Sequence, residues 1–158
     1  MVDPPEGESL SNPPIIIDTN VLSDTHFLHW LRMYRAEKII PPIVYAEYAY
    51  HFLVKGRDLS ALDRALNAAQ IRVGEMDKHH SAHGANFAFI CRQQKPYCGD
   101  PSRDIQWLRT WRDSLIASFA AIPPFRMITN NIDDFNFLGE RAMTPYEFKE
   151  GIENGTIR

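Results

Sequence analysis

Cysteine is scarce in this sequence: Cys91 and Cys98 are the only two in 158 residues. Two thiols are too few for the disulfide framework of a small secreted domain, and they fit a reducing cytoplasm. Long apolar runs are missing too, none approaching the ~20 residues needed to span a bilayer. The N-terminus has neither the basic nor the apolar segment of a secretory signal. A cytoplasmic protein with no membrane partner is expected. The net charge is only −3, so no overall basic field announces a nucleic-acid binder. Internal repeats are absent.

What is present describes one ordinary globular domain, with 44% hydrophobic and 23% charged residues in a chain long enough to bury a core. Residues 1–13, rich in proline and poor in apolar side chains, are expected to be a flexible tail, and residues 14–158 a single domain. Ile15-Ile16-Ile17 is a short, continuous apolar run bounded by Pro13-Pro14 and reads as a buried strand. Helical spacing of Phe27, Trp30, Leu31 and Tyr34 predicts a helix to about Arg35. Lys38-Ile39-Ile40 predicts a brief strand, and a helix starts at Pro42, where a missing N–H costs nothing, and runs to Gly56.

Asp58 or Ser60 caps a further amphipathic helix through Leu59, Leu62, Leu66 and Ala69, before a candidate strand at residues 71–73. Residues 77–93 look helical, with a small-residue patch at Ala82, Gly84 and Ala85, and residues 95–102 read as a loop. Helical spacing resumes at Leu108, Trp111, Leu115 and Phe119 and ends before Pro123-Pro124. Residues 126–129 and 142–143 predict the last strands, and Thr144-Pro145-Tyr146-Glu147 starts a helix with a capping box. Strands that alternate with helices imply an α/β fold, a mainly parallel sheet covered by helices in an α/β/α sandwich.

Four places set carboxylates beside apolar structure: Asp18 after the first strand, Glu47 early in the helix from Pro42, Asp113 among Trp111, Leu115 and Ile116, and Asp133 and Asp134 after residues 126–129. Each has a plain structural explanation. Asp18 is a good helix cap, Glu47 favours a helix dipole, Asp113 can pair with Arg109, and Asp133 and Asp134 suit a turn. Jointly they point further. Two parallel strands that end in polar residues place those ends on one sheet edge, and a right-handed crossover starts the helix carrying Glu47 there. Carboxylates gathered on one edge repel unless a cation neutralises them, and an all-oxygen donor set suits Mg²⁺ or Mn²⁺.

Taken together, Ile16-Ile17-Asp18-Thr19-Asn20-Val21, Glu47 in its apolar helix, Asp113-Ser114-Leu115-Ile116-Ala117-Ser118-Phe119-Ala120, and Ile128-Thr129-Asn130-Asn131-Ile132-Asp133-Asp134-Phe135 resemble the PIN-domain family, most of all its VapC-type toxin ribonucleases. The resemblance runs from about Ile15 to Phe148. It implies a single-domain PIN-like α/β/α fold, metal-dependent endonuclease activity on RNA, Mg²⁺ or Mn²⁺ as cofactor, a homodimer, and an antitoxin partner. Carried over by position, Asp18, Glu47 and Asp113 match the family's three principal acidic residues and are the implied metal ligands. The fourth position is either Asn131, which has a carbonyl oxygen and no charge, or Asp134. Thr129 and Asn20 are implied as supporting hydrogen-bonders, with Asp133 a turn residue. A degenerate PIN domain acting as a non-catalytic RNA- or protein-binding module is the alternative, motivated by Asn131. A small-molecule phosphatase is a third reading that lacks an Asp-x-Asp pattern after the first strand.

Other groups are weaker. Residues 78–112 hold six Lys or Arg against two Asp, together with His79, His80 and His83: a solvated basic face, or a surface for phosphates. His79 and His83 have the spacing for one zinc, but no third ligand is evident beyond nearby Cys91 and Cys98, so structural roles are expected. A Cys91–Cys98 disulfide runs against a cytoplasmic setting. Trp107, Trp111 and Phe119 are expected in the core, and Tyr97 is the better base-stacking candidate.

Overall fold

Ile15, Ile16 and Ile17 form β1 (Ile15–Ile17), with no side-chain exposure at any of the three. In the computed structural model, residues 12–94 and 101–158 are described, the side chains of 101–104 excepted. β1 is the middle of a five-stranded sheet whose order is β3-β2-β1-β4-β5, and every pairing is parallel. The other strands are β2 (Lys38–Ile40), β3 (Ile71–Val73), β4 (Arg126–Ile128) and β5 (Ala142–Met143). This is the sandwich expected from the alternation of elements. A central strand flanked on both sides must be apolar on both faces, which is why β1 is an unbroken isoleucine run.

The order of the strands locates the site. From β1 the chain winds outward through β2 and β3, then returns to the other side of β1 to lay down β4 and β5. The winding direction reverses between β1 and β4. In open α/β sheets the crevice at such a reversal, outside the carboxyl ends of the strands, is where ligands bind. Ile17 pairs with Ile128 at that point, so Asp18 and Thr129 leave the sheet side by side.

Helices cover both faces: α1 (Thr25–Leu31), α2 (Pro42–Val54), α3 (Leu59–Ala68), α4 (Lys78–Gln94), α5 (Pro101–Ala117) and α6 (Pro145–Glu153). The helix predicted to reach Arg35 is shorter and broken. A 3₁₀ turn at Thr19–Ser23 precedes Asp24, whose side chain accepts from Phe27 N–H at 2.9 Å and starts α1 afresh. α1 stops at Leu31, and the buried amine of Lys38 ties its end and the chain beyond it to the sheet, donating to Leu31 O at 2.9 Å and to Tyr34 O at 3.0 Å. Burial pushes the Lys38 amine pKa down, with Arg35 adding to the effect. Asp58 caps α3, and Thr144 and Glu147 form the capping box of α6, as predicted.

α4 and α5 pack closely at Gly84, where a Cβ would lie 2.7 Å from Leu115 Cδ2. Ala82 and Ala85, grouped with Gly84 in the sequence, are exposed instead. The aromatics expected in the core divide: Phe119, just past α5, is buried and Trp107 half-buried, but Trp111 is 36% exposed, as is the neighbouring Leu108 at 68%. Of the predicted loop at 95–102, residues 101 and 102 instead open α5, where proline is tolerated in the first turn, and residues 95–100, with Tyr97 and Cys98, lie outside the described residues, as does most of the predicted tail. Pro13 itself is buried and its carbonyl accepts from the Tyr34 hydroxyl. Among the described residues no helix is long and apolar enough to cross a membrane.

Candidate functional site

Two carboxylates are built into the fold at the β1–β4 crevice. Asp18 follows β1 and is 6% exposed, and Asp113, near the end of α5, is 7% exposed. Asp18 does serve as a helix cap, accepting from Thr19 N–H at 2.7 Å through Oδ1. Capping uses only one of its oxygens. The other, Oδ2, accepts from the buried Thr129 hydroxyl at 2.8 Å and from Asn20 Nδ2 at 3.1 Å. Thr129 Oγ1 in turn accepts from Asn131 N–H at 3.0 Å, and Asn20 Oδ1 accepts from Asn130 N–H at 3.1 Å. The predicted supporting pair, Thr129 and Asn20, therefore ties the ends of β1 and β4 together through Asp18. Each donor is spoken for by a specific acceptor, so the carboxylate has one orientation.

Glu47 approaches from α2, whose start at Pro42 sets it on the same edge. Its Oε2 accepts from the Thr19 hydroxyl at 2.5 Å. Arg112 spans the remaining gap. Its Nε and Nη2 donate to Asp113 Oδ1 at 2.9 and 2.6 Å, and its Nη1 donates to Glu47 Oε1 at 3.3 Å. The partner that the sequence offered to Asp113, Arg109, is replaced by the adjacent Arg112.

Burial dominates the electrostatics. It pushes the Asp18 carboxyl above its usual range, against the Thr129 hydroxyl, the Thr19 N–H and the Arg112 charge, and Glu47 adds to the rise. Burial likewise pushes Asp113 up to about 6, despite Arg112, with Asp134 and Asp18 adding to it. One guanidinium is thus insufficient for the negative charge gathered here. Shifts of this kind, caused by desolvation and like charge in a crevice, mark functional sites more often than structural ones.

An open cleft of about 500 Å³ runs past these groups, lined by Asp18, Asn20, Glu47, Arg112 and Asn131 at one end. The other end is lined by Tyr50, His51, Lys55 and Arg57. The structure thus brings five predicted residues together: Asp18, Asn20, Glu47, Asp113 and Thr129. Asn131 lines the cleft, exposed. Asp134 is exposed in the 3₁₀ segment Ile132–Arg141, near enough for its charge to act on Asp113. Among the described residues of the basic segment 78–112, only Arg112 lines the cleft. His79 is exposed and His83 half-buried, whereas His80 stacks on Phe119 at 4.2 Å and pairs with Asp77. Sequence reasoning missed Arg112 as the bridging cation and the cations of α2. The second had a signal, because His51 and Lys55 fall four and eight residues after Glu47.

The donor set of Asp18, Asp113 and Glu47 is all oxygen and under-neutralised, the chemistry a hard divalent cation requires. As arranged, however, no group of three or more His, Cys, Asp or Glu among the described residues stands close enough to hold one ion. Arg112 occupies the space between two of the three.

No protein-family model matches the sequence, and no curated protein is similar to it. Solved structures do match in fold. A chain of a toxin-antitoxin complex from Klebsiella pneumoniae superposes with a TM-score of 0.56 at 18% identity, over 84% of this chain and 98% of that one. A chain of VapBC-1 from nontypeable Haemophilus influenzae superposes with a TM-score of 0.61 at 15% identity, with the same coverage of both chains. The chain therefore has a PIN-like α/β/α fold, shared with a chain of a VapBC structure and a chain of a toxin-antitoxin complex.

Proposed function

We propose that this protein is a metal-dependent endoribonuclease, the toxin of a toxin-antitoxin pair, acting in the cytoplasm. One observation carries the proposal: two buried carboxylates with raised pKa values converge at the switch point of a parallel sheet, with Glu47 on the same edge. Asp18, Asp113 and Glu47 would hold Mg²⁺ or Mn²⁺, with Asn131 or Asp134 completing the set. Bound there, such an ion would supply the chemistry of activating water and offsetting charge on a phosphodiester. The chain's own residues do the rest. Thr129 and Asn20 fix the Asp18 carboxylate, Thr19 fixes Glu47, and Arg112 holds Asp113 while presenting positive charge to the cleft. The toxin-antitoxin names of the fold neighbours support an antitoxin partner. A homodimer is supported by exposed apolar side chains on α4 and α5: Phe89, Ile105 and Leu108 are each more than half exposed.

The test is cleavage of single-stranded RNA by purified protein with Mn²⁺ or Mg²⁺. Cleavage is expected to disappear in EDTA and in Asp18→Asn. Unchanged cleavage by Asp18→Asn would sink the assignment. A second reading, a PIN-like domain that binds RNA or protein without cutting, is favoured by Arg112 standing between Asp113 and Glu47 and by the uncharged Asn131. Calorimetric titration separates the two, since no heat of Mn²⁺ binding at millimolar metal selects the second.

A further inference from the structure

The far end of the cleft has its own chemistry. Along α2, Glu47, His51 and Lys55 recur every four residues, so they form one stripe on one helix face. At 1.5 Å per residue the stripe runs about 12 Å, from the carboxylates to the helix end. That is more than three times the ~3.4 Å rise per nucleotide of a stacked strand. Arg57 follows the helix, positioned by its N–H on Phe52 O at 2.9 Å and by its guanidinium 5.5 Å above the Phe52 ring. No ion pair to a carboxylate is formed by His51, Lys55 or Arg57 among the described residues. Tyr50 lines the same cleft with 65% of its surface exposed. The dull explanation is that His51 and Lys55 favour the negative end of the α2 dipole. It does not account for Arg57 beyond the helix, nor for a large exposed ring facing the cleft.

We propose that Tyr50, His51, Lys55 and Arg57 form a strand-binding arm that holds single-stranded RNA beside the carboxylates, its phosphates on the cations and a base on Tyr50. This rests on the ribonuclease reading and names how that site takes its substrate. A polyanion approaching Asp18, Glu47 and Asp113 is repelled, and the arm offsets that repulsion a few nucleotides away. Base-paired RNA keeps its base faces inside the stack, whereas a single strand offers them to an aromatic side chain, so Tyr50 selects unpaired RNA.

The experiment measures binding, in EDTA so that no metal-dependent cutting occurs. A short fluorescein-labelled single-stranded RNA is titrated with the protein at several KCl concentrations and followed by anisotropy. Wild type is expected to bind. Lys55→Ala/Arg57→Ala is expected to bind about tenfold more weakly and to flatten the log–log salt slope by about 1.4, or ~0.7 per lost phosphate contact. Tyr50→Ala should weaken binding with the slope unchanged, and a duplex of the same sequence should bind less well than the single strand. Lys78→Ala/Arg92→Ala, outside the cleft, should match wild type.

No binding by wild type, unchanged binding by Lys55→Ala/Arg57→Ala, or a larger loss in Lys78→Ala/Arg92→Ala overturns the proposal. So does a double variant with a lower melting temperature and unaltered RNA affinity, the outcome that a dipole role predicts. Metal-free binding through the arm without Mn²⁺-dependent cleavage would leave the arm standing and remove the hydrolase. Mn²⁺-dependent cleavage with binding indifferent to the double variant would do the reverse.

Discussion

The floor of the cleft and its rim are built by different physics. The floor is a buried layer of Asp18, which lines the cleft, with Asp113 and Thr129 behind it, at 6%, 7% and 0% exposure, and their positions follow from strand register and helix packing. Glu47, Arg112 and Asn131 stand on the rim, where side chains reach across solvent-facing space. On the floor, desolvation decides the chemistry: both carboxyls are pushed up despite hydrogen bonds and a neighbouring guanidinium. On the rim, the charges are set by pairing and by screening water, where ion pairs contribute little individually. Floor residues should therefore trade stability against function, while rim residues should tune affinity with little effect on the fold.

The sharpest way to break that contrast is Asp113→Asn. The folded carboxyl titrates at about 6, above the ordinary 3.8, so the folded state holds its proton more tightly than the unfolded chain. The stability this provides is fully present below pH 3.8 and is lost as pH rises through about 6. At pH 7.5 the buried charge costs on the order of 3 kcal/mol, which the neutral amide removes while still accepting from Arg112. The expected outcome is a melting temperature raised by roughly 6–12 °C at pH 7.5 and unchanged near pH 3.5. RNA cleavage should fall more than about 100-fold in the same variant. A destabilised Asp113→Asn protein at pH 7.5 would show that Arg112, not burial, governs the floor.

The floor was largely legible in the sequence, and of the rim Glu47 and Asn131 were named but the bridging Arg112 was not, for a physical reason. Burial leaves periodic traces: an isoleucine triplet flanked by prolines, a Thr-Pro-x-Glu helix start, an aspartate leading a small-residue helix face. The parallel order of strands then brings Asp18 and Thr129 together whatever the surface does. Arg112 was hidden because sequence spacing offers Asp113 two arginines, at four and at one residue's distance, and only tertiary packing chooses the adjacent one. Trp111 and Leu108 misled in the opposite direction. Their helical spacing matches a core stripe, yet α5 turns both towards the surface. The basic run at 78–112 was a composition signal, and composition does not say which face a charge takes.

Arg112 joins floor to rim, so Arg112→Gln sharpens the comparison at a smaller scale. Its guanidinium holds Asp113 and Glu47 as a divalent ion would, and the two cations compete for the same oxygens. Removing the charge should tighten Mn²⁺ binding about tenfold by calorimetry, as one opposing cation in a partly buried site is relieved. Melting temperature without metal should drop, because Asp113 loses the one opposite charge in contact with it among the described residues. Weaker Mn²⁺ binding in Arg112→Gln would instead make the guanidinium a support for the ligands in their working positions.

The smallest effects are expected at the outer rim, where Asn131 and Asp134 compete for one role. Asn131 lines the cleft, and its N–H is anchored on Thr129 Oγ1. Its side chain therefore starts from a fixed backbone beside Asp18. Asp134 sits in the 3₁₀ segment beyond, exposed, and acts on Asp113 only through its charge. If the site is completed through the anchored position, Asn131→Asp should tighten Mn²⁺ binding by roughly three- to tenfold at low salt, since a carboxylate adds charge where an amide oxygen has none. Asp134→Asn should then change Mn²⁺ affinity less than about threefold, and that difference should shrink with added salt as the exposed charge is screened. A tenfold loss in Asp134→Asn that persists at high salt would reverse the assignment, making the charged residue the ligand and Asn131 only a backbone contact for Thr129.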